Sequence, residues 1–283
     1  MKFLYKLIIL SCLLFSITSY AQIKGKCVDT SGKGIPYVNI SIKGKSIGTV
    51  SNQNGDFYLK NKSIKENDSL IFSHLNFNKK IVPIPLIVKK IELTPKVENL
   101  EEIVISHKKR KFKIVGNQTQ RGNSLYGIRA KHIGKGHELG KIIRVRKNKV
   151  YDVKNIQFTI ERFGFNFATF RINFYNIIDG VVDLEKINKT NLIYKINDDA
   201  NVKIDLSTQH LSFSNNFLVA IEWIDFEENH YLREIDKVIT IPSVNHTGPM
   251  YFRSNKHPKW KKVRISNYNR SLGIHLRVEQ YSQ

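Results

Sequence analysis

The sequence predicts an all-β protein built from two β-sandwich domains. Apolar and polar residues alternate at a period of two in many short segments, which is the pattern of half-buried strands. Turn-forming residues separate these segments, and no apolar pattern of helical period persists. The 283 residues exceed one ordinary domain, and an apolar fraction of 41% is enough to form buried cores. With 16 Gly and 2 Cys, collagen-like and disulfide-rich scaffolds are excluded.

Residues 1–21 are typical of a secretory signal peptide. Lys2 and Lys6 precede a short apolar run, and small residues follow it up to a cleavage site after Ala21. The run is too short to span a bilayer, and no later segment has 18 consecutive apolar residues. A lipoprotein anchored through Cys12 is the alternative, although the apolar run continues past that cysteine. We therefore expect an exported protein of the periplasm, the outer-membrane surface or the medium.

The predicted mature chain divides into three segments. They are a small β-sandwich over 22–100, a linker over 101–114 and a larger sandwich over 115–283. Cys27 is the single cysteine of this mature chain, so we expect a buried structural thiol and no internal disulfide.

The formal net charge is +22, from 46 Lys and Arg against 24 Asp and Glu. Such a charge is typical of proteins with an anionic partner. Export favours an anionic glycan, lipopolysaccharide or an envelope protein over nucleic acid. The alternative is coding bias, because Lys, Ile and Asn are abundant together. The one dense basic run, 107–113, lies in the predicted linker, and such runs are usually solvated.

Short strands and tight turns fill the first segment. Asn54-Gly55 is a strong turn signal because both residues tolerate a positive φ. Strands are predicted around Val38, Ile40 and Ile42, Thr49 and Val50, Phe57 and Leu59, and over 70–73. Strands this short, at this spacing, favour a small sandwich.

Many positions in this segment share one order and spacing: Ile23, Lys24, Gly25, Asp29, Gly32, Gly34, Ile35, Pro36, Val38, Ile40, Gly44, Gly48, Thr49, Asn52, Asn54, Gly55, Phe57 and Leu59. Together they resemble the carboxypeptidase regulatory-like domain, a transthyretin-like β-sandwich of exported Gram-negative bacterial proteins. Asn52 stands in place of the usual Asp, and Asn76-Phe77 in place of a Gly-aromatic pair. These replacements keep residues that cap turns. The resemblance implies the fold and no peptidase activity.

The segment 100–105 is similar to the one that follows this domain in TonB-dependent outer-membrane receptors. Such receptors need a plug and a large barrel, for which too few residues remain after Ile105. The sequence therefore predicts a different kind of protein.

About eight strands are predicted in the second segment, which indicates a jelly-roll-like sandwich. The clearest of them lie at 143–146, 156–161, 170–175, 202–206, 217–223, 263–265 and 274–278. The pieces 138–140, 170–175, 204–207 and 220–224 resemble a C-terminal β-domain that accompanies the regulatory-like domain in exported proteins without assigned activity.

No catalytic, metal or cofactor motif is evident, so we expect a protein that is not an enzyme. The chain lacks a His-Glu-x-x-His motif and a Gly-x-Ser-x-Gly elbow. Asp198-Asp199 and the trio Asp225, Glu227 and Glu228 are acidic clusters beside turn residues. The alternative function is an envelope hydrolase or glycan-modifying enzyme whose carboxylates converge only in three dimensions, about 5–10 Å apart.

Outward-facing basic residues form the candidate binding site. If the first and last strands of the second sandwich are neighbours, the following residues share one sheet face: Arg144, Arg146, Lys262, Arg264, His275 and Arg277, with Trp260 and Tyr268 nearby. Arginine forks and aromatic rings on one face would suit an anionic glycan or phosphate. The alternative is a solvated sheet face. Arg171, in an aromatic strand, is expected to be a paired core arginine.

These observations lead to one functional hypothesis. The protein is expected to be a non-enzymatic envelope protein that acts in adhesion, as a scaffold, or in binding a glycan or protein.

Overall fold

The computed structural model describes residues 22–87, 89–96, 109–118, 125–129, 135–198, 200–233, 235–245, 248–254, 257–263 and 270–283. Strands account for 63% of the structure and helix for 3%, which confirms the all-β prediction. The predicted signal peptide and most of the predicted linker lie outside these residues. Within them, no helix is long and apolar enough to cross a membrane.

The first sandwich consists of two small sheets. Its strands are β1 (Gln22–Val28), β2 (Asn39–Ile42), β3 (Gly48–Val50), β4 (Asp56–Lys60), β5 (Ser69–His74), β6 (Phe77–Pro83) and β7 (Lys90–Glu92). One sheet has the order β4-β1-β7 and the other the order β3-β2-β5-β6. Val38, Ile40, Leu70 and Phe72 are fully buried in the core between them. The apolar residues of the alternating pattern are therefore those that face the core.

The Asn54-Gly55 turn is confirmed, and Gly55 is required there. Its φ is +84°, and a Cβ atom at this position would lie 2.5 Å from the carbonyl oxygen of Cys27. Asn52 Oδ1 accepts hydrogen bonds from the backbone amides of Asn54 and Asp56, both at 2.9 Å. Cys27 itself is buried, as expected, and burial with the nearby Asp56 charge raises the pKa of its thiol to about 12.

The second sandwich contains fifteen strands in the described residues, more than the eight predicted. They are β8 (Lys111–Gly116), β9 (Leu125–Arg129), β10 (His137–Ile143), β11 (Lys149–Phe163), β12 (Phe165–Ile178), β13 (Val181–Lys186), β14 (Leu192–Ile196), β15 (Ala200–Asp205), β16 (Ser212–Phe213), β17 (Phe217–Glu228), β18 (Val238–Asn245), β19 (Met250–Ser254), β20 (His257–Val263), β21 (Arg270–Leu272) and β22 (Ile274–Ser282). Those that the sequence missed are mostly short strands at the edges of the sheets.

Two sheets face each other across the core of this sandwich. The seven-stranded sheet has the order β13-β12-β17-β10-β19-β20, with β14 also on β12. The eight-stranded sheet has the order β21-β18-β11-β22-β8, with β15 and β16 on β11 and β9 on β18. The chain crosses between the sheets repeatedly, as in a jelly-roll-like sandwich. Phe170, Trp223, Ile156 and Leu276, two from each sheet, are fully buried between them.

Two sequence expectations need correction in this part of the chain. Strand β10 ends at Ile143, so Arg144 and Arg146 lie in the loop before β11 rather than on a strand. Val145 N donates to Asn216 Oδ1 there, which takes the place of a strand partner. Strand β8 begins at Lys111, inside the segment predicted as linker, because it pairs with β22 along the sheet edge.

The first sandwich packs against the outer face of the seven-stranded sheet. Tyr37 and Val50 of the first sandwich form a small buried cluster with Ile224 of β17. As a result, residues of β12 from Ala168 to Tyr175 are buried on both faces of the sheet. Over these residues β12 therefore has no solvated face, whereas the sequence predicted one.

The substitution Gly55→Ala should destabilise the protein more than Gly32→Ala. Both glycines have a positive φ, +84° and +82°, but no atom lies within 4 Å of a Cβ added at Gly32. We expect a loss of about 1 kcal/mol at Gly32 from the backbone conformation alone. The loss at Gly55 should exceed about 2 kcal/mol, because the turn must also move away from Cys27. Urea denaturation measures both, and equal losses would contradict the steric argument.

Candidate functional site

The structure does not bring the predicted basic residues onto one sheet face. Arg277 lies on β22 of the eight-stranded sheet, whereas Trp260 and Lys262 lie on β20 of the other sheet. Arg144 and Arg146 are exposed in the β10–β11 loop. The first and last strands do neighbour each other, but they are β8 and β22, not the strand assigned to the two loop arginines. Arg264 and Tyr268 lie outside the described residues.

Arg277 is the predicted site residue whose surroundings best suit ligand binding. It is exposed on the outer face of the eight-stranded sheet, where β22 runs between β8 and β11. Its guanidinium carbon lies 4.3 Å from the centre of the Phe112 ring. Phe112 is 59% exposed, so this cation–π pair stands in solvent rather than in the core.

This pair borders a surface groove of about 550 Å³, which we call the Arg277 groove. Its walls are formed by Phe112, Lys154, Asn155, Lys203, Asp205, Ser207, Arg277 and Glu279. The carboxylates in it are already bonded within the protein. Glu279 lies 3.2 Å from Lys154 Nζ and 2.9 Å from Arg110 Nη1, and Asp205 Oδ1 accepts the Ser207 amide at 2.9 Å. Among the residues the structure describes, Arg277 and Lys203 have no ion pair.

A second group of polar side chains lies on the outer face of the seven-stranded sheet, under the first sandwich. We call it the buried charge network; its members are Glu138, Arg171, Asn173, Tyr175, Lys186, Glu222 and Arg253. They come from β10, β12, β13, β17 and β19. Phe170 and Ile172 of β12 lie in the apolar core, so Arg171 between them faces the outer side of the sheet.

Glu222 is the centre of one half of this network. Its Oε2 accepts hydrogen bonds from Lys186 Nζ at 2.7 Å, Asn173 Nδ2 at 2.8 Å and Arg171 Nη1 at 3.3 Å. Burial alone would raise the pKa of this carboxyl. The two cations and the hydrogen bonds outweigh burial and lower the pKa of Glu222 to about 2.

Glu138 and Arg253 form the other half. Arg253 donates to Glu138 Oε1 from Nε at 3.1 Å and from Nη2 at 2.5 Å. The Tyr175 hydroxyl donates to Glu138 Oε2 at 2.6 Å, and burial raises the pKa of Tyr175 well above its ordinary value. The Arg253 guanidinium carbon lies 4.7 Å from the Trp260 ring centre. Trp260, predicted as a ligand contact, is half-buried and packs within this cluster.

The network reaches across to the first sandwich. Arg171 Nη2 donates to the backbone carbonyl of Tyr37, a residue in the left-handed region with a φ of 58°. The Asn39 amide, oriented to suit both neighbours, donates to Glu222 Oε1 at 3.2 Å and accepts from Arg171 Nη1 at 3.3 Å. Arg171 is 3% exposed, which confirms the prediction of a paired core arginine.

A histidine contact lies beside the network. His74 Nε2 is 2.6 Å from Asn191 Nδ2, again from one sandwich to the other. Burial, with the Arg171 and Lys186 charges, lowers the pKa of His74 to about 4. His74 therefore carries no charge in the docked protein at neutral pH.

The acidic residues singled out in the sequence are not brought together. Asp225 pairs with Lys135 at 2.6 Å, Glu227 accepts from Asn166 at 2.8 Å, and Glu228 pairs with Lys237 at 2.9 Å. Asp198 is exposed, and Asp199 lies outside the described residues. No group of three or more His, Cys, Asp or Glu that could hold a metal ion occurs in the part of the chain that the structure describes.

The carboxylates that do converge, Glu138 and Glu222, were missed as site residues. Both accept hydrogen bonds from the same nitrogen, Asn173 Nδ2, at 3.0 and 2.8 Å. The signal was available in part, because Glu222 interrupts a run of apolar residues from Phe217 to Ile224. A charge in a strand that is apolar on both sides indicates a covered outer face.

Two comparisons with known proteins concern the first sandwich. Residues 23–105 match the family model of the CarboxypepD_reg-like domain, which confirms the resemblance seen in the sequence. The TonB-dependent receptor SusC of Bacteroides thetaiotaomicron is 29% identical over 109 residues, which cover 37% of this chain and 10% of that receptor. This chain therefore matches about a tenth of the length of that relative.

A third comparison is structural. The cysteine protease and lectin-like domains of Cwp84, a surface layer associated protein of Clostridium difficile, superpose with a TM-score of 0.34 at 11% sequence identity. The superposition covers 53% of this chain and 33% of that one. A likeness of this size supports no conclusion about fold or function.

Acid should weaken the protein, beginning with His74. A folded pKa of about 4, below the ordinary 6.5, means that the stability linked to His74 is present above pH 6.5. It is lost as the pH falls through 4. The stability linked to Glu222 is lost at lower pH, as the pH falls from 4.5 through about 2. The free energy of unfolding should therefore fall between about pH 7 and about pH 5, and less so in His74→Gln.

The matched control for this measurement is His230→Gln, because His230 is exposed. It should keep the pH dependence of the unmodified protein in denaturant titrations. If His74→Gln showed the same slope as the control, His74 would have no part in the pH dependence.

Proposed function

We propose that this protein is a non-enzymatic, exported binding module of the cell envelope, and that its ligand is an anionic glycan such as that of lipopolysaccharide. The Arg277 groove is the binding site. The observation that carries this proposal is the exposed pair of Arg277 and Phe112, whose guanidinium has no carboxylate partner among the described residues.

The chemistry of the groove suits a charged sugar. The planar guanidinium of Arg277 presents parallel N–H donors that match a carboxylate or phosphate group. Its contact with the Phe112 ring restricts its orientation before any ligand arrives, which lowers the entropic cost of binding. Lys203 adds a second cation to the groove, and the remaining Phe112 surface offers an apolar face to a sugar ring.

Export and envelope location rest on other support. The sequence of residues 1–21 has the pattern of a signal peptide. Residues 23–105 match the CarboxypepD_reg-like domain, and part of the chain is similar to the TonB-dependent receptor SusC. An envelope protein is the alternative partner for the same groove. In that case the protein would act as a scaffold or in adhesion.

A hydrolase is the second candidate, favoured by the convergence of Glu138 and Glu222. A glycosidase needs one carboxyl that stays protonated as the general acid and one that stays ionised. The low pKa of Glu222 suits only the ionised role, and Glu138 lies against the Arg253 guanidinium. This arrangement supports binding over hydrolysis. Release of reducing ends from envelope glycans, abolished in Glu222→Gln, would reverse that conclusion.

The variant Arg277→Ala should weaken glycan binding at least about tenfold at physiological salt. One charge-assisted hydrogen-bonding group contributes about 1.5–3 kcal/mol, and each 1.4 kcal/mol corresponds to about tenfold in affinity. Phe112→Ala should weaken binding less, because it removes stacking and leaves the charge. Titration of immobilised lipopolysaccharide and acidic polysaccharides with the purified protein measures both effects.

Arg146→Ala is the charge-matched control, because Arg146 is exposed and lies outside the groove. It should leave the affinity within about twofold of the unmodified protein. Equal losses in both variants, or binding that salt abolishes uniformly, would identify non-specific attraction to the net charge and contradict the proposed site.

A further inference from the structure

A cavity of about 460 Å³ lies between the two sandwiches, beside the buried charge network. Its lining includes Asn39 and Lys45 of the first sandwich and Glu138, Leu184, Glu222 and Arg253 of the second. We call it the inter-sandwich cleft. Its volume is within the range of small-molecule sites, about 300–1,000 Å³.

The charges of the buried charge network beside this cleft do not balance. Arg171, Lys186 and Arg253 contribute three positive charges, and Glu138 and Glu222 contribute two negative charges. These five side chains are between 2% and 16% exposed. Tyr175 does not supply the missing negative charge, because burial raises its pKa. A buried charge without a counter-charge is unfavourable, so one positive charge in this network favours an anion beside it.

Two cations at the cleft retain hydrogen-bonding capacity. Lys45 Nζ donates to Asp68 Oδ2 at 2.5 Å and to the Ser63 carbonyl at 2.9 Å, which uses two of its three N–H groups. Arg253 Nη1 donates to the Leu184 carbonyl at 3.1 Å. The second N–H of that nitrogen has no partner among the residues described. A carboxylate in the cleft could therefore accept hydrogen bonds from both sandwiches.

The carboxylates at the cleft restrict what else the ligand can carry. Glu222 Oε1 accepts a hydrogen bond only from Asn39 in the described structure, while a carboxylate oxygen can accept about two. A second anionic group near Glu138 and Glu222 would be repelled. Hydroxyl groups, in contrast, could donate to Glu222. The cleft thus matches a ligand with one carboxylate and several hydroxyls.

We infer that the inter-sandwich cleft is a second binding site, and that it takes a single acidic sugar unit of the uronic acid type. The carboxylate lies between Lys45 and Arg253, and hydroxyl groups face Glu222. This site is separate from the Arg277 groove, which lies on the opposite sheet of the second sandwich.

Isothermal titration calorimetry of the purified protein with D-glucuronate tests the inference. Glucose and acetate serve as ligands that lack the carboxylate and the hydroxyls, respectively. D-glucuronate should bind at least about tenfold more tightly than either. Lys45→Met should weaken D-glucuronate binding about tenfold or more by removing one charged donor. Lys43→Met, an exposed neighbour outside the cleft lining, should leave it within about twofold.

Three results would overturn the inference. They are no binding of D-glucuronate up to about 10 mM, equal binding of glucose, and equal binding of acetate. An effect of Lys43→Met as large as that of Lys45→Met would also contradict it. Arg277→Ala separates the two proposals, because it should weaken glycan binding to the groove and leave D-glucuronate binding to the cleft unchanged.

Discussion

The hydrogen bonds to Glu222 are the interaction on which the arrangement of the two sandwiches depends. This carboxylate is 2% exposed and lies in the middle of a strand whose other side faces the main apolar core. Arg171 of β12 and Lys186 of β13, in the same sheet, donate hydrogen bonds to it, and Asn39 of the first sandwich donates another. The first sandwich covers these charges, and the same charges position the first sandwich.

Such a network is costly to disturb at any one member. Removal of one partner from a buried ion pair typically costs about 3–5 kcal/mol, because the other charge stays buried and unpaired. Arg171 would be the most disruptive loss, since it joins the Glu222 carboxylate to the Tyr37 carbonyl. These hydrogen bonds fix the relative position of the two sandwiches, because they are directional. The apolar packing of Tyr37, Val50 and Ile224 beside them is not directional.

The sequence predicted the strands well where alternation reports a single buried side. Ile156, Phe158 and Ile160 are all buried, as the period of two required. It also predicted the Asn54-Gly55 turn and the paired state of Arg171, because both follow from local chemistry. The large outer-face residues of β12 could not be assigned in this way. Asn173 and Tyr175 look solvent-facing until another domain covers them, and covering depends on tertiary packing.

The candidate sites were predictable to a smaller degree. The sequence predicts that Arg277 faces outward, but its neighbour Phe112 lies in the predicted linker, so their stacking does not follow from the sequence. Arg144 and Arg146 alternate with apolar residues in sequence, yet β10 ends before them. Glu138 and Arg253 are 115 residues apart and meet only because β10 pairs with β19. Strand order between distant segments is not encoded in local periodicity.

The Arg171–Tyr37 contact also bears on how such domains can be recombined. The acceptor at position 37 is a backbone carbonyl in a left-handed turn, so the side chain there contributes nothing to that bond. A chimera carrying a different regulatory-like domain would need the same loop shape and an amide at position 39, whatever its overall sequence. Compatibility of a grafted domain thus depends on one backbone carbonyl and one side-chain amide, which overall sequence identity does not measure.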